Sequence, residues 1–342
     1  MDTPLTVYLD LNHWYMLGAA LAGNPRQPEH TGILKQLTHG VEQGRLMLPL
    51  STVHYMELSE NPRDHQREEA AKVMVSLSRF TTMAPIGNII SEELALGLNR
   101  LFGRPAFPAK VPKFGQGVGF AFGKPGSFRL KGGTTQDRTA VEAQLGMSIT
   151  EFEARINAVA EYDLLKQPPR ALASRIPDYG PYAARRVADK ELASFNVMVQ
   201  TLRTDPEIAK RPFDAICARQ FLFEFMDRWV QAQLDAGFSK NRTPFRAKEE
   251  FTDFLMSLPS RRVAAMIQFH YLKDVHRDWK INDLRDIAAL SIAVPYCDVV
   301  VTDAKAWDAL VNRAHLDAEL STTVFKRLTD LGAHLAALGV KG

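Results

Sequence analysis

Cysteine is almost missing from this chain. Cys217 and Cys297 are its two, both in apolar segments and without metal-ligand spacing. That excludes a disulfide framework and a cysteine-based zinc site, and it predicts reduced core thiols in a cytoplasmic protein. Long apolar runs are also lacking: none approaches the ~18 residues of a membrane span, so no membrane association is expected. Acids appear at once, at Asp2 and Asp10, so no secretory leader is expected. There is no repeat and no low-complexity tract. Charge of either sign is not dominant. Forty-two basic against 39 acidic residues leave +3 over 342 residues, which permits a polyanionic partner without requiring one. The glycine-rich stretch GQGVGFAFGKPG lacks the Lys-Ser/Thr ending and the strand-to-helix setting of a phosphate loop. His270 and His276 are spaced to fall on different faces of a helix, so a shared metal is not expected.

What is present is an α/β pattern at both ends of the chain. Leu5–Leu9 is a β-rich run ended by Asp10, with helices expected over 13–22 and 31–43, the latter with apolar residues at Ile33, Leu34, Leu37 and Val41. A second strand is expected over 46–50. Ser51 or Thr52 then caps a helix carrying Glu57, a further helix covers about 67–78, and a short strand follows near 80–82. This order predicts parallel strands joined by right-handed crossovers. Helical patterns then run over 91–102, 150–167, 183–203, 207–236, 247–258 and 261–278. The α/β pattern returns with Asp283 and Asp286 opening a helix that Pro295 ends. Val299–Val301 form a strand closed by Thr302 and Asp303, and an amphipathic segment covers 324–338. The expected architecture is one α/β domain made of 1–90 and 281–342, split by a mostly helical insertion over 91–280.

Asp10, Glu57, Asp286 and Asp303 all fall at the carboxyl ends of the expected parallel strands, where open sheets of this kind place their sites. Carboxylates crowded together raise one another's pKa, and a hard divalent cation relieves them. Oxygen-only ligation points to Mg²⁺ or Mn²⁺. Asp283, three residues before Asp286, reads either as a helix cap or as an extra ligand. Glu60 is the alternative to Glu57, and Asp298 reads as a turn residue.

The order of these motifs resembles a PIN domain. It has D-x-N at Asp10 and Asn12, Ser51 six residues before Glu57, D-I-A-A from Asp286 to Ala289, and V-T-D from Val301 to Asp303. The resemblance covers about residues 5–85 and 281–325, and the long insert has no counterpart in the compact members of that family. It implies a Rossmann-like three-layer α/β/α sandwich with a central parallel sheet. It implies a metal-dependent endoribonuclease with Asp10, Glu57, Asp286 and Asp303 as ligands of Mg²⁺ or Mn²⁺. Asn12, Ser51 and Thr302 would be supporting residues. Products would carry 5′-phosphate and 3′-hydroxyl ends. An RNA substrate is expected, and an inhibitory or regulatory protein partner fits such an enzyme. Two other readings remain at this stage. One is a non-catalytic scaffold that binds RNA or protein. The other is a haloacid-dehalogenase-like phosphatase, which wants a second Asp where this chain has Asn12.

The stretch 103–133 is rich in Gly, Pro and Phe and holds no acid. It carries Arg104, Lys110, Lys113, Lys124, Arg129 and Lys131, interleaved with Phe107, Phe114, Phe120, Phe122 and Phe128. Base with aromatic is how single strands are held, by charge on phosphates and stacking on bases. The same phenylalanines would equally pin a loop to neighbouring helices. Arg285 and Lys305 could touch phosphate, but exposed base near a helix start is ordinary.

Overall fold

The computed structural model describes residues 3–102, 110–124, 126–132, 134–173, 175, 180–238, 245–274 and 276–342. Arg104 and Phe107 of the basic stretch lie outside the described residues, as does Asp2.

The strands are β1 (Leu5–Leu9), β2 (Leu46–Met47), β3 (Thr81–Met83), β4 (Phe114–Gln116), β5 (Val299–Val301) and β6 (Thr323–Phe325). Four of them make a parallel sheet in the order β2-β1-β5-β6, with Leu5 opposite Leu46, Leu9 opposite Val301 and Val301 opposite Phe325. β3 pairs antiparallel with β4 and joins the edge beyond β2 through a parallel bridge from Thr82 to Leu50. The chain is thus mixed α/β and mostly helical, with a small parallel sheet.

Side chains alternate across a strand, and here the alternation divides two cores. Val7, Leu9, Val299 and Val301 face one core, built with α1 (Leu11–Leu21), α2 (Glu29–Glu42), α4 (Asp64–Ser78) and the helix Leu328–Ala337. The same face holds α3 (Thr52–Glu60) through Tyr55 and Leu58. Gly18 lets α1 meet α4 closely, since a Cβ there would stand 2.9 Å from the Glu69 carbonyl carbon. Tyr8 and Val300 face the other core, shared with α5 (Ile86–Leu101) and the helices Gly180–Thr204, Pro259–Leu272 and Ile281–Tyr296. A third cluster joins Leu94 and Leu98 of α5 to Trp229, Phe254 and Leu258.

Several elements differ from the sequence expectation for local reasons. The strand expected over 46–50 shrinks to two residues and a bridge at Leu50, because Pro49 has no N–H to offer a ladder. The helix Ile281–Tyr296 runs one residue past Pro295, and the Cys297 N–H still reaches the Ala293 carbonyl at 2.9 Å. The single helix expected over 207–236 is several. Proline opens Pro206–Ala209 and Pro212–Gln220, then a π-helical turn, Phe221–Phe225, precedes Met226–Asp235. The Gly-, Pro- and Phe-rich stretch, for which no element was expected, contains β4 and the short helix Gly117–Ala121. Cys217 and Cys297 are free and buried. Among the described residues no helix is long and apolar enough to cross a membrane.

Candidate metal centre

The site begins where β1 ends. The Leu9 carbonyl accepts two side-chain hydrogen bonds, from Trp14 Nε1 at 3.1 Å and from His54 Nε2 at 2.8 Å. His54 Nδ1 accepts the Ser51 N–H at 2.9 Å, which leaves the proton on Nε2. The His54 ring lies stacked on Tyr8 with centroids 5.1 Å apart and is buried. Burial lowers its pKa to about 4, so the ring stays neutral. One side chain therefore ties the start of α3 to the end of β1.

Asp10 follows Leu9 and caps α1, its Oδ1 accepting the Leu11 N–H at 2.7 Å. Its own N–H donates to the Val301 carbonyl at 2.9 Å, which sets it across from β5. Glu57 lies one turn beyond His54 on α3, and Asp286 one turn beyond Asp283 on Ile281–Tyr296. Asp10, Glu57 and Asp286 each offer one carboxylate oxygen to a group whose atoms all lie within 4.8 Å of one another.

All three carboxyls are pushed above their ordinary range. For Asp10 the cause is burial, with Asp303 adding repulsion, while hydrogen bonds from Leu11 and Asn12 oppose it. Glu57 is raised to about 8 by burial and by Asp10, against the pull of Arg285. Asp286 is raised by burial and then by Asp10, Glu57, Asp303 and Asp283. Such a group holds protons, or it holds a cation. The donors are oxygens only, and the nearby imidazoles of His13 and His54 are turned to the Thr302 and Leu9 carbonyls. That donor set suits Mg²⁺ or Mn²⁺ rather than a softer metal.

The remaining candidates take other places. Asp303 caps Ala304–Trp307 by accepting the Lys305 and Ala306 N–H groups at 2.6 and 2.9 Å. It stands outside the group of three, yet near enough to repel Asp10 and Asp286. Asp283 accepts the Lys280 N–H at 2.8 Å and pairs with Arg277 at 2.5 Å, so it serves as a cap held by an ion pair. Glu60 takes Arg285 through both oxygens, at 2.6 and 3.0 Å, and Arg185 at 3.1 Å. Arg285 is buried by that pairing rather than turned to solvent. Asp298 accepts the Thr6 N–H at 2.7 Å, at the amino end of β1. Asn12 is exposed and bonds Asp10. Ser51 Oγ lies 3.4 Å from the Tyr8 hydroxyl, and Thr302 is buried with its N–H on the Phe325 carbonyl.

The basic stretch does not gather at this edge as a unit. Lys113 pairs with Glu92 and sits over the Tyr296 ring at 4.7 Å. Tyr296 is ten residues beyond Asp286, roughly 15 Å along the helix axis. Arg129 pairs with Glu153 at 3.3 Å. Lys110, Lys124 and Lys131 are exposed and make no ion pair among the described residues. Phe114 and Phe120 pack on the second core, Phe122 meets Tyr55 edge-on at 6.2 Å, and Phe128 is exposed.

Beside Asp303 a cleft of about 510 Å³ opens, lined by Lys273, Arg277, Lys305 and Arg313 with Asp274 and Asp308. Arg277 and Arg313 are taken by Asp283 and Asp308, whereas Lys273 and Lys305 pair with no acid among the described residues. Sequence reading did not single out this cleft, nor His54 and Trp14. The signal available for His54 was its place one turn before a candidate carboxylate. No protein-family model matches the chain, and neither a curated protein nor a solved structure matches it.

Proposed function

We propose that this protein is a metal-dependent endoribonuclease with a PIN-like site on a Rossmann-like α/β/α sandwich. The observation that carries the reading is the convergence of Asp10, Glu57 and Asp286 at the carboxyl end of a parallel sheet. They come from three separate elements, and each is pushed toward protonation by burial and by a neighbouring carboxylate: Asp10 by Asp303, Glu57 by Asp10, and Asp286 by Asp10, Glu57 and Asp303. Helices on both faces of the sheet support the sandwich reading.

Asp10, Glu57 and Asp286 would hold Mg²⁺ or Mn²⁺, with Asp303 adding negative charge beside them. When bound, such an ion activates water and stabilises charge on a phosphoryl group in transfer. The chain's own residues set the geometry. His54 and Trp14 fix the Leu9 carbonyl, and through it the backbone that presents Asp10. Lys305 and Lys273 offer charge to phosphates of a strand lying in the neighbouring cleft. The exposed Lys110, Lys124 and Lys131 would extend that grip, and the helices of 91–280 would select the substrate.

The test is incubation of purified protein with mixed RNAs in Mn²⁺ or EDTA, followed by end mapping. Cleavage that needs the ion, leaves 5′-phosphates and disappears in Asp10→Asn and Asp286→Asn supports the reading. Cleavage retained in both variants, or none by the wild type, overturns it.

A further inference from the structure

Behind the helix that carries Asp286 lies a second cavity, of about 560 Å³, that shares no residue with the acidic group. Its floor is apolar, from Ile90, Ala264, Leu284 and Ile287. Its walls are charged unevenly: Lys190, Arg219, Arg228 and Arg261 face Glu191 and Glu224. Glu224 alone serves two guanidiniums, Arg219 at 3.0 Å and Arg261 at 2.6 Å. Arg219 Nε is sealed from solvent with no acceptor. Arg228 donates to the Gly87 carbonyl at 2.9 Å and, like Lys190, pairs with no acid among the described residues. Its guanidinium lies against Gly87 so closely that a Cβ there would stand 2.1 Å from Nη2. Position 87 thus accommodates the arginine by lacking a side chain.

The π-helical turn Phe221–Phe225 builds the rim. It buries Phe225 and leaves Phe223, a lining residue, 71% exposed. A widened turn of this kind costs hydrogen-bond geometry and often marks a functional place. An exposed aromatic beside converging guanidiniums suits a ligand with both a flat ring and a phosphate. The volume falls within the usual range for such a ligand.

We propose that this cavity binds a nucleoside 5′-monophosphate unit, with its phosphate on Arg228 and Arg219 and its base against Phe223. The unit comes either free or as the 5′ end of an RNA. The proposal does not depend on the acidic group cutting RNA.

Calorimetric titration in EDTA tests it with four probes: AMP, orthophosphate, and an oligouridylate with and without a 5′-phosphate. EDTA keeps metal-dependent cleavage out of the measurement. Arg228→Ala should weaken nucleotide binding by about tenfold or more. Gly87→Ala, which displaces that guanidinium without removing its charge, should weaken it in the same sense. Phe223→Ala should weaken AMP severalfold and leave orthophosphate unchanged. Both the Arg228 and the Phe223 side chains are exposed, and a melting curve of each variant checks that it folds. AMP binding alone assigns a free nucleotide, and preference for the 5′-phosphorylated oligonucleotide over its 5′-hydroxyl form assigns an RNA end. No binding of AMP or of the phosphorylated oligonucleotide by the wild type overturns the proposal. So does binding that survives both Arg228→Ala and Phe223→Ala.

Discussion

The acidic edge and the basic stretch make opposite use of sequence distance. Asp10, Glu57 and Asp286 are drawn from opposite ends of the chain, yet their oxygens come within 4.8 Å. Lys110, Lys113, Lys124, Arg129 and Lys131 crowd into one segment, yet two are consumed by Glu92 and Glu153 while three stay in solvent. The difference lies in what holds each group. Asp10 stands at the end of the laddered strand β1, and Glu57 and Asp286 stand on helices packed against the sheet, α3 being tied to β1 by His54 on the Leu9 carbonyl. The bases stand on a segment held by hydrogen bonds to its neighbours, such as Leu130 N–H to Glu153 at 2.8 Å and Phe128 N–H to Asn157 at 2.7 Å. Rigid elements concentrate chemistry, and a tethered segment disperses it.

The strongest way to break this contrast is to remove the acids one at a time. Asp10→Asn or Asp286→Asn should lower RNA cleavage in Mn²⁺ by on the order of a hundredfold to a thousandfold. Lys113→Ala should leave the rate within about twofold, because its charge is already spent on Glu92. Equal losses in an end-labelled RNA assay would erase the distinction.

Next in size is His54→Leu. It strands the Ser51 N–H and removes one of two donors to the Leu9 carbonyl, at a cost of about 2–4 kcal/mol in urea denaturation. Mn²⁺ affinity should fall by about tenfold, as for other groups that orient ligands. Unchanged metal affinity would show that the clamp does not reach Asp10.

A smaller effect concerns pH. Glu57 is raised to about 8 in the folded protein, above the ordinary 4.5. The folded state therefore binds this proton more tightly than the unfolded one. Its contribution is full below about pH 4.5 and is lost as pH rises toward 8, with a limiting slope of about 1.4 kcal/mol per pH unit. In EDTA the melting temperature should fall across that window. Mn²⁺ should flatten the decline, and Glu57→Gln should make it shallower. A melting temperature that rises with pH in EDTA would contradict the repulsive cluster.

The least effect is expected on the basic side. Each of Lys110, Lys124 and Lys131 that meets an RNA phosphate should lower the salt dependence of binding by about one unit of slope when changed to Ala. Arg129→Ala should leave that slope unchanged, since Arg129 faces Glu153.

Much of the acidic edge was legible before the structure. β1 is a short β-rich run ended by an acid, β5 is three valines before Thr302 and Asp303, and Asp286 lies in the early turns of an apolar helix, Ile281–Tyr296. Those signals are local, and they suffice because parallel strands carry their far ends to one edge. Asp283 was ambiguous because both of its readings fit a helix start. Arg277 decides its place, and sequence had put Arg277 inside a helix that in fact ends at Leu272. β4 went unseen because Phe114-Gly115-Gln116 has little strand propensity of its own and owes its existence to the β3 ladder, and β6 overlaps the start of the segment expected only as amphipathic over 324–338. The fate of Lys113 depended on Glu92 of α5, a contact no periodicity announces.

The clamp on Leu9 has an optical consequence. Trp14 is fully buried, and its indole is bonded to the carbonyl that precedes Asp10. Of the other three tryptophans, Trp229 and Trp307 stand on other helices and Trp279 in the connection before Ile281–Tyr296. With those three changed to Phe, the remaining indole becomes a fluorophore wired to the acidic edge. Its emission, quenched directly by Mn²⁺ and only perturbed by Mg²⁺, would turn the wall of the site into its own titration readout.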